Sequence, residues 1–410
     1  MSQGKRTIRD YLPILVGALL MIILIVIPTG YEDAVIYGES ERCRAQVLDT
    51  DESRVIHAGI VQTGEQVCSL EILNGKFKGE IVSGVNFLSG SMENDKIYEQ
   101  GDRALAVVSY GAEGITSVTM TDHYRLDKEI LLAVLFFGML VVFAGGKGFY
   151  AIMSFVITIL AVWKLLVPSY LQGHNPIYMG LLITVLLTVV IIFLVYGWDR
   201  RTICAVGGSL LGTLTTCVLG ILFTGAFKVH GAVMPYSESL LYCGYLHLNL
   251  TSIFMSSIFI GASGAMMDLS VDITSAVYEV ICKKPDIGWK EAAWSGMNVG
   301  RAAMGTMTTT LLLAYSGGYV SLLMVFMAQG TPVEHIFNYK YVASELLDTM
   351  IGSFGLVTVA PFTSFVSGLL LTHKKENVTR ENTLAGGGPY CEIEVQRKAR
   401  LTKALWVQRK

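Results

Sequence analysis

The amino-acid sequence predicts an all-α polytopic membrane bundle of about eight transmembrane helices, carrying a small extracytoplasmic β-barrel or sandwich. Three observations lead there. Of the 410 residues, 52% are hydrophobic and only 16% charged, with a mean hydropathy of +0.52. That balance is too apolar for an ordinary soluble domain. The apolar residues form repeated runs long enough to cross a bilayer. Between the first run and the second, the chain turns polar and alternates with the period of strands.

In chain order, residues 1–29 read as an N-terminal signal anchor. Lys5, Arg6 and Arg9 precede an apolar run, and the PTGYED that follows has no A-x-A-like cleavage site. Residues 30–126 read as the β domain. Short strand-like runs lie near 44–48, 68–72, 77–85, 104–109 and 115–120, with the hairpin signal Asn74-Gly75 between two of them. An oligonucleotide-binding-type barrel is one arrangement of five such strands. No aromatic and basic face accompanies it, so nucleic acid is not an expected partner. Cys43 and Cys68 are the two cysteines of this segment; they form one disulfide in an oxidising compartment or stay as free thiols.

Residues 127–372 read as a seven-helix membrane domain, with spans near 130–144, 149–167, 177–197, 203–227, 250–276, 303–328 and 350–371. The expected cytoplasmic connections hold Lys147, Arg200, Arg201, Lys283, Lys284, Lys290 and Arg301; the outer ends hold only Lys164, Lys228 and Lys340. This bias puts both termini in the cytoplasm and residues 30–126 outside the plasma membrane. The 373–410 tail, rich in Lys and Arg around Leu401, Leu405 and Trp406, reads as a helix on anionic lipid or as a solvated tail.

The stretch 261–315 organises the membrane part. Asp268 and Asp272 are four apart and Glu279 is seven further on, so all three share one helical stripe with Gly261 and Gly264. An acid inside a bilayer costs about 2.5–3.5 kcal/mol on insertion scales. Asp268 and Asp272 are therefore candidates for a proton or ion relay, or for anchors that bond neighbouring helices. Glu279 and Arg301, near the cytoplasmic boundary, suit an interfacial ion pair or a gate. Glu345 and Asp348 share a face at the outer start of the last span and suit an acidic mouth or plain helix-start acids. Thr306, Thr308, Thr309 and Thr310 line a hydrated path or bond back to their own helix. Gly208-xxx-Gly212 and Gly296-xxx-Gly300 are close-packing motifs.

The cysteines and histidines are scattered without metal-ligand spacing, and no P-loop, HExxH or GxSxG occurs. No metal, cofactor or enzymatic activity is expected.

These residues resemble the YibE/F-like bacterial membrane proteins. SLEILNGKFKGEIVSGVNFL and GDRALAVV resemble the form with an ectodomain. GAMMDLSVDITSAVYEV, SGMNVGRAAMGTMTTTLLLAYSGG and the stretch 345–355 resemble the family's membrane blocks. More distantly, an acid in a Gly-rich helix, a basic turn and a threonine-rich helix are similar to half of a resistance-nodulation-division permease repeat, as in SecF-type and MMPL-type proteins. That likeness implies a proton- or ion-coupled permease or exporter with Asp268 as the coupling acid. It also implies paired bundles: a homodimer, or a complex with a YibF-like protein. The alternative expectation is a membrane assembly or signalling subunit that transports nothing.

Overall fold

A computed structural model describes residues 8–32, 39–112 and 114–382. Residues 1–7 and the 383–410 part of the basic tail lie outside the described residues, so the expected lipid-bound tail helix does too. The chain divides into two compact units: residues 32–148, and residues 1–31 with 149–410.

The chain opens with helix α1 (Ile8–Val26), followed by strands β1 (Ser40–Ala58), β2 (Val61–Ile72), β3 (Ile81–Ser89), β4 (Arg103–Gly111) and β5 (Gly114–His123). The strands close into a barrel in the order β1-β2-β3-β5-β4, with β3 and β5 parallel and the other pairs antiparallel. That order is the oligonucleotide-binding-type arrangement. Inward residues alternate along each strand: Leu70 and Ile72 of β2, and Ala104, Ala106 and Val108 of β4, are buried in one core. The strand expected from residue 77 begins at Ile81. Asn74 and Gly75 sit in the connection before it, with Gly75 at φ +86° and the Asn74 carboxamide accepting from the Arg44 N–H at 2.6 Å.

A polar knot lies inside this barrel. Gln66 and Asn86 are fully buried. Gln66 Nε2 donates to the Tyr98 carbonyl at 2.8 Å, and Gln66 Oε1 accepts from the Tyr98 N–H at 3.1 Å. Asn86 Nδ2 donates to Gln66 Oε1 at 3.2 Å and to the Lys96 carbonyl at 2.6 Å. Nearby, the backbone N–H of Ser89 donates to Asp95 and holds its carboxyl below the usual range. The segment between β3 and β4 is thus tied from inside. Cys43 and Cys68 are both buried free thiols, not a disulfide. Burial pushes the Cys68 thiol up to about 11.

Helix α2 (Leu126–Ala144) belongs to the same unit. Asp127 at its start pairs with Arg103 of β4 at 2.6 Å.

The second unit holds α1 and the remaining helices: α3 (Gly146–Ala161, from its second turn), α4 (Val167–Leu171), α5 (Pro176–Tyr196), α6 (Arg200–Ala226), α7 (Ser237–Tyr242), α8 (Leu250–Lys283), α9 (Trp289–Ser316), α10 (Val320–Ala328), α11 (Val333–Asn338) and α12 (Lys340–Asn382). A π-helical turn, Val162–Leu166, joins α3 to α4, just before Pro168, which brings no N–H to the ladder. Among the described residues six helical segments are long and apolar enough to cross a membrane: 146–171, α5, α6, α8, 289–328 and 340–372. Helix α2 opens on Asp127, Lys128 and Glu129. The expected count of about eight is not confirmed: length and composition single out six among the described residues.

Helix α12 is the axis on which α6, α8 and α9 meet. Small residues let them approach, since lipid offers no hydrophobic drive between helices. A side chain at Gly208 or Gly212 of α6 would run into Thr363 or Val359 of α12. On α9, Gly296 rests on Val277 and Ile273 of α8, and Gly300 on Ala360 of α12 and Ile273. Both glycine pairs expected to mediate close packing do so. Helix α9 starts at Trp289, well before the apolar run that begins near residue 303. In the loop after α6, Val229 and Val233 pack with Phe254 and Ile258 of α8 and Leu347 and Ile351 of α12.

Overpacking of a tight contact costs about 1–3 kcal/mol. Gly212→Ala should lower the thermal midpoint of the detergent-purified protein accordingly. Gly220→Ala, where an added methyl meets nothing within 4 Å, should leave it unchanged or raise it. In the barrel, Cys43 and Cys68 should resist a polar maleimide until denaturant is added, and oxidant should produce no Cys43–Cys68 bridge in the folded protein, both read by intact mass.

Candidate functional site

The membrane unit places its candidate acids in two different settings. The first is at the start of α12. Glu345 and Asp348 lie one turn apart, partly buried in the bundle, and close enough to act on one another. Glu345 Oε1 and Asp348 Oδ1 are shut away from solvent and have no hydrogen-bond partner among the described residues. Helix α9 ends opposite them. Its regular winding breaks at Gly317–Tyr319, so Tyr315 stands before the break and Tyr319 within it. Tyr315 feels both carboxyl groups, and Tyr319 interacts directly with Glu345. Gly261 of α8 leaves room for the Tyr315 hydroxyl, which would lie 2.9 Å from any added Cβ.

The sequence pattern singled out Glu345 and Asp348 but missed the two tyrosines. The available signal was Tyr-Ser-Gly-Gly-Tyr inside an apolar run, because a glycine pair there marks a break rather than a continuous span. After the break come the two short helices α10 and α11. Phe326 meets Tyr339 edge-to-face at 5.0 Å between ring centroids, which returns the chain to α12 beside the acids.

The second setting is the stripe on α8. Gly261, Gly264, Asp268, Asp272, Ser275 and Glu279 are all exposed on the single chain, while the opposite face, Met266, Leu269, Ile273 and Val277, is buried. The shared stripe expected from the spacing is therefore present and exposed, bordered by Tyr315 of α9 at Gly261 and by Tyr196 of α5, whose hydroxyl lies 2.6 Å from Ser275 Oγ. Asp268 and Asp272 have no ion-pair or hydrogen-bond partner among the described residues. Glu279 pairs along its own helix with Lys283 at 2.7 Å. Arg301 lies twelve residues inside α9 rather than at its entry, with its guanidinium 4.8 Å from the Trp294 ring centroid. Each of these two residues thus has a partner on its own helix. The threonines bond back as well: Thr306 to the Ala303 carbonyl at 3.0 Å, Thr308 to Met304 at 2.9 Å, Thr309 to Gly305 at 3.1 Å and Thr310 to Thr306 at 2.9 Å.

Among the described residues no group of three or more His, Cys, Asp or Glu is arranged to hold a metal. Glu345, Asp348, Tyr315 and Tyr319 offer two carboxyl groups and two hydroxyls. Such a set can hold a proton or pass it on, or offer oxygen ligands to a small hard cation.

Residues 132–373, more than half of the chain, match a family model described as YibE/F-like protein. Comparison with curated proteins and with solved structures returned no match.

Proposed function

The chain belongs to the YibE/F-like family, and from that premise we propose that its helical bundle is a membrane permease. Its cycle is coupled to a proton or small cation exchanged at Glu345 and Asp348. One observation carries this reading: two carboxyl groups one turn apart within the bundle, each with an enclosed oxygen that nothing bonds. An unpaired carboxylate is expensive in such surroundings. Two of them repel, and a shared proton or cation relieves the repulsion. The neighbouring break at Gly317–Tyr319 supplies backbone able to shift when that charge changes.

In this reading the oligonucleotide-binding-type barrel meets cargo on the outer surface, as the charge bias of the loops orients it. The bundles work in pairs, through a second copy or a YibF-like member. The likeness to resistance-nodulation-division repeats rests on sequence pattern alone. A membrane assembly subunit without transport is the second reading. It is favoured by the long 289–328 segment, almost none of which is buried in the single chain.

The test requires no knowledge of the cargo. Protein in liposomes is given an imposed pH or cation gradient, and flux is followed with an internal indicator dye. Glu345→Gln and Asp348→Asn should each abolish flux per molecule while abundance stays at the wild-type level. Loss of abundance in both, or flux unchanged, would overturn the proposal in favour of an assembly role. Asp268→Asn run alongside locates the relay: loss there with Glu345→Gln and Asp348→Asn intact would move it to α8.

A further inference from the structure

The exposed stripe on α8 faces a medium that solvates no charge. Asp268 and Asp272 lie well inside a helix long and apolar enough to cross a bilayer, and Arg301 lies well inside the next. All three are exposed on the single chain. Leaving such groups against lipid is costly, and the usual arrangement pairs them with one another or turns them to a protein interior.

The register between the two helices settles their heights. Gly300 of α9 packs on Ile273 of α8, and Gly296 packs on Val277. Arg301 follows Gly300 and Asp272 precedes Ile273, so their backbones lie at the same depth, and the Arg301 side chain, which reaches back over Trp294 in the single chain, is long enough to swing to that level. The helices run antiparallel from one short turn, and each residue sits about 16–18 Å from it at 1.5 Å per residue. No ion pair joins Asp272 to Arg301 within the chain among the described residues.

The surroundings suit close approach. Gly261 and Gly264 continue the acidic stripe on α8. Gly305 and Thr309 continue from Arg301 at four-residue spacing on α9, and all four are exposed. An added methyl at Gly264 or Gly305 would meet nothing within 4 Å in the single chain. Small residues in such positions let helices of different subunits approach.

We infer that this face is the seam between two copies of the chain, with Asp272 of each copy bonded to Arg301 of the other. A two-fold axis along the membrane normal keeps depth unchanged. It therefore brings each acid level with its partner's arginine, twice over, as an isologous interface demands. Charge complementarity within one sequence selects a second copy as the occupant. Asp268, one turn from Asp272, then meets the partner level with its Gly305 segment. The inference specifies the paired bundle proposed above, and it stands or falls without any measurement of flux.

The test is co-purification of two differently tagged full-length chains from mild detergent. Wild-type copies should associate. Asp272→Arg and Arg301→Asp chains should each fail to associate with themselves, since each self-pair sets like charges opposite. Mixed with one another, the same two chains should associate at the wild-type level, because both seams of the mixed pair regain opposite charges. That rescue also shows that both variants fold. Asp272→Asn, which removes the charge and keeps the shape, should weaken association by about tenfold, equivalent to roughly 1.4 kcal/mol. Wild-type copies that do not associate, self-pairing of Asp272→Arg, or a mixed pair that fails while Asp272→Asn associates normally would overturn it. Flux lost in Glu345→Gln with pairing intact would show the two proposals to be separate.

Discussion

A bilayer interior solvates no charge, and that constraint orders the membrane unit. Each ionisable group placed at depth must be hidden, paired or used. The chain handles its two acid pairs in opposite ways. Glu345 and Asp348 are drawn into the bundle beside Tyr315 and Tyr319, at the point where α9 breaks. Asp268 and Asp272 are left on an open face, level with or one turn from Arg301. Hidden acids that each keep an unbonded oxygen suit exchange, whereas open acids matched by an arginine suit assembly.

The bundle that imposes this division is held by small residues. Helix α12 is approached by α6 through Gly208 and Gly212 and by α9 through Gly296 and Gly300. These contacts fix the register of α9 against α8, and hence the height of Arg301 relative to Asp272. A change in one glycine would therefore disturb the placement of charges several residues away. Buried hydroxyls in the same region, such as Ser209 and Thr363, have no hydrogen-bond partner among the described residues, so packing rather than hydrogen bonding carries the contact.

Much of this architecture was legible in the sequence. Five strands were readable from alternation, and the structure returns five, closed as a barrel. The expected spans 177–197 and 203–227 fall on α5 and α6 within a few residues. Helix α9 was read as starting too late, because Lys290, Glu291 and Arg301 interrupt the apolar run while leaving helix propensity intact. Periodicity put Asp268, Asp272 and Glu279 on one stripe, correctly, but it reports which residues share a face and not whether that face is inside. Spacing alone therefore does not distinguish the exposed Asp268 from the partly buried Asp348. The glycine break between Tyr315 and Tyr319 was readable, but their approach to the acids was not, because it depends on α12 returning beside the end of α9, a contact made between distant parts of the chain.

The knot of Gln66 and Asn86 has a consequence for how the barrel meets anything outside. Two fully buried amides grip the backbone at Lys96 and Tyr98 from within, so the crossing between β3 and β4 does not swing aside. An approaching molecule encounters a preformed shape and loses little entropy in ordering it. Its capture rate is then governed by diffusion and orientation, not by the wait for an opening.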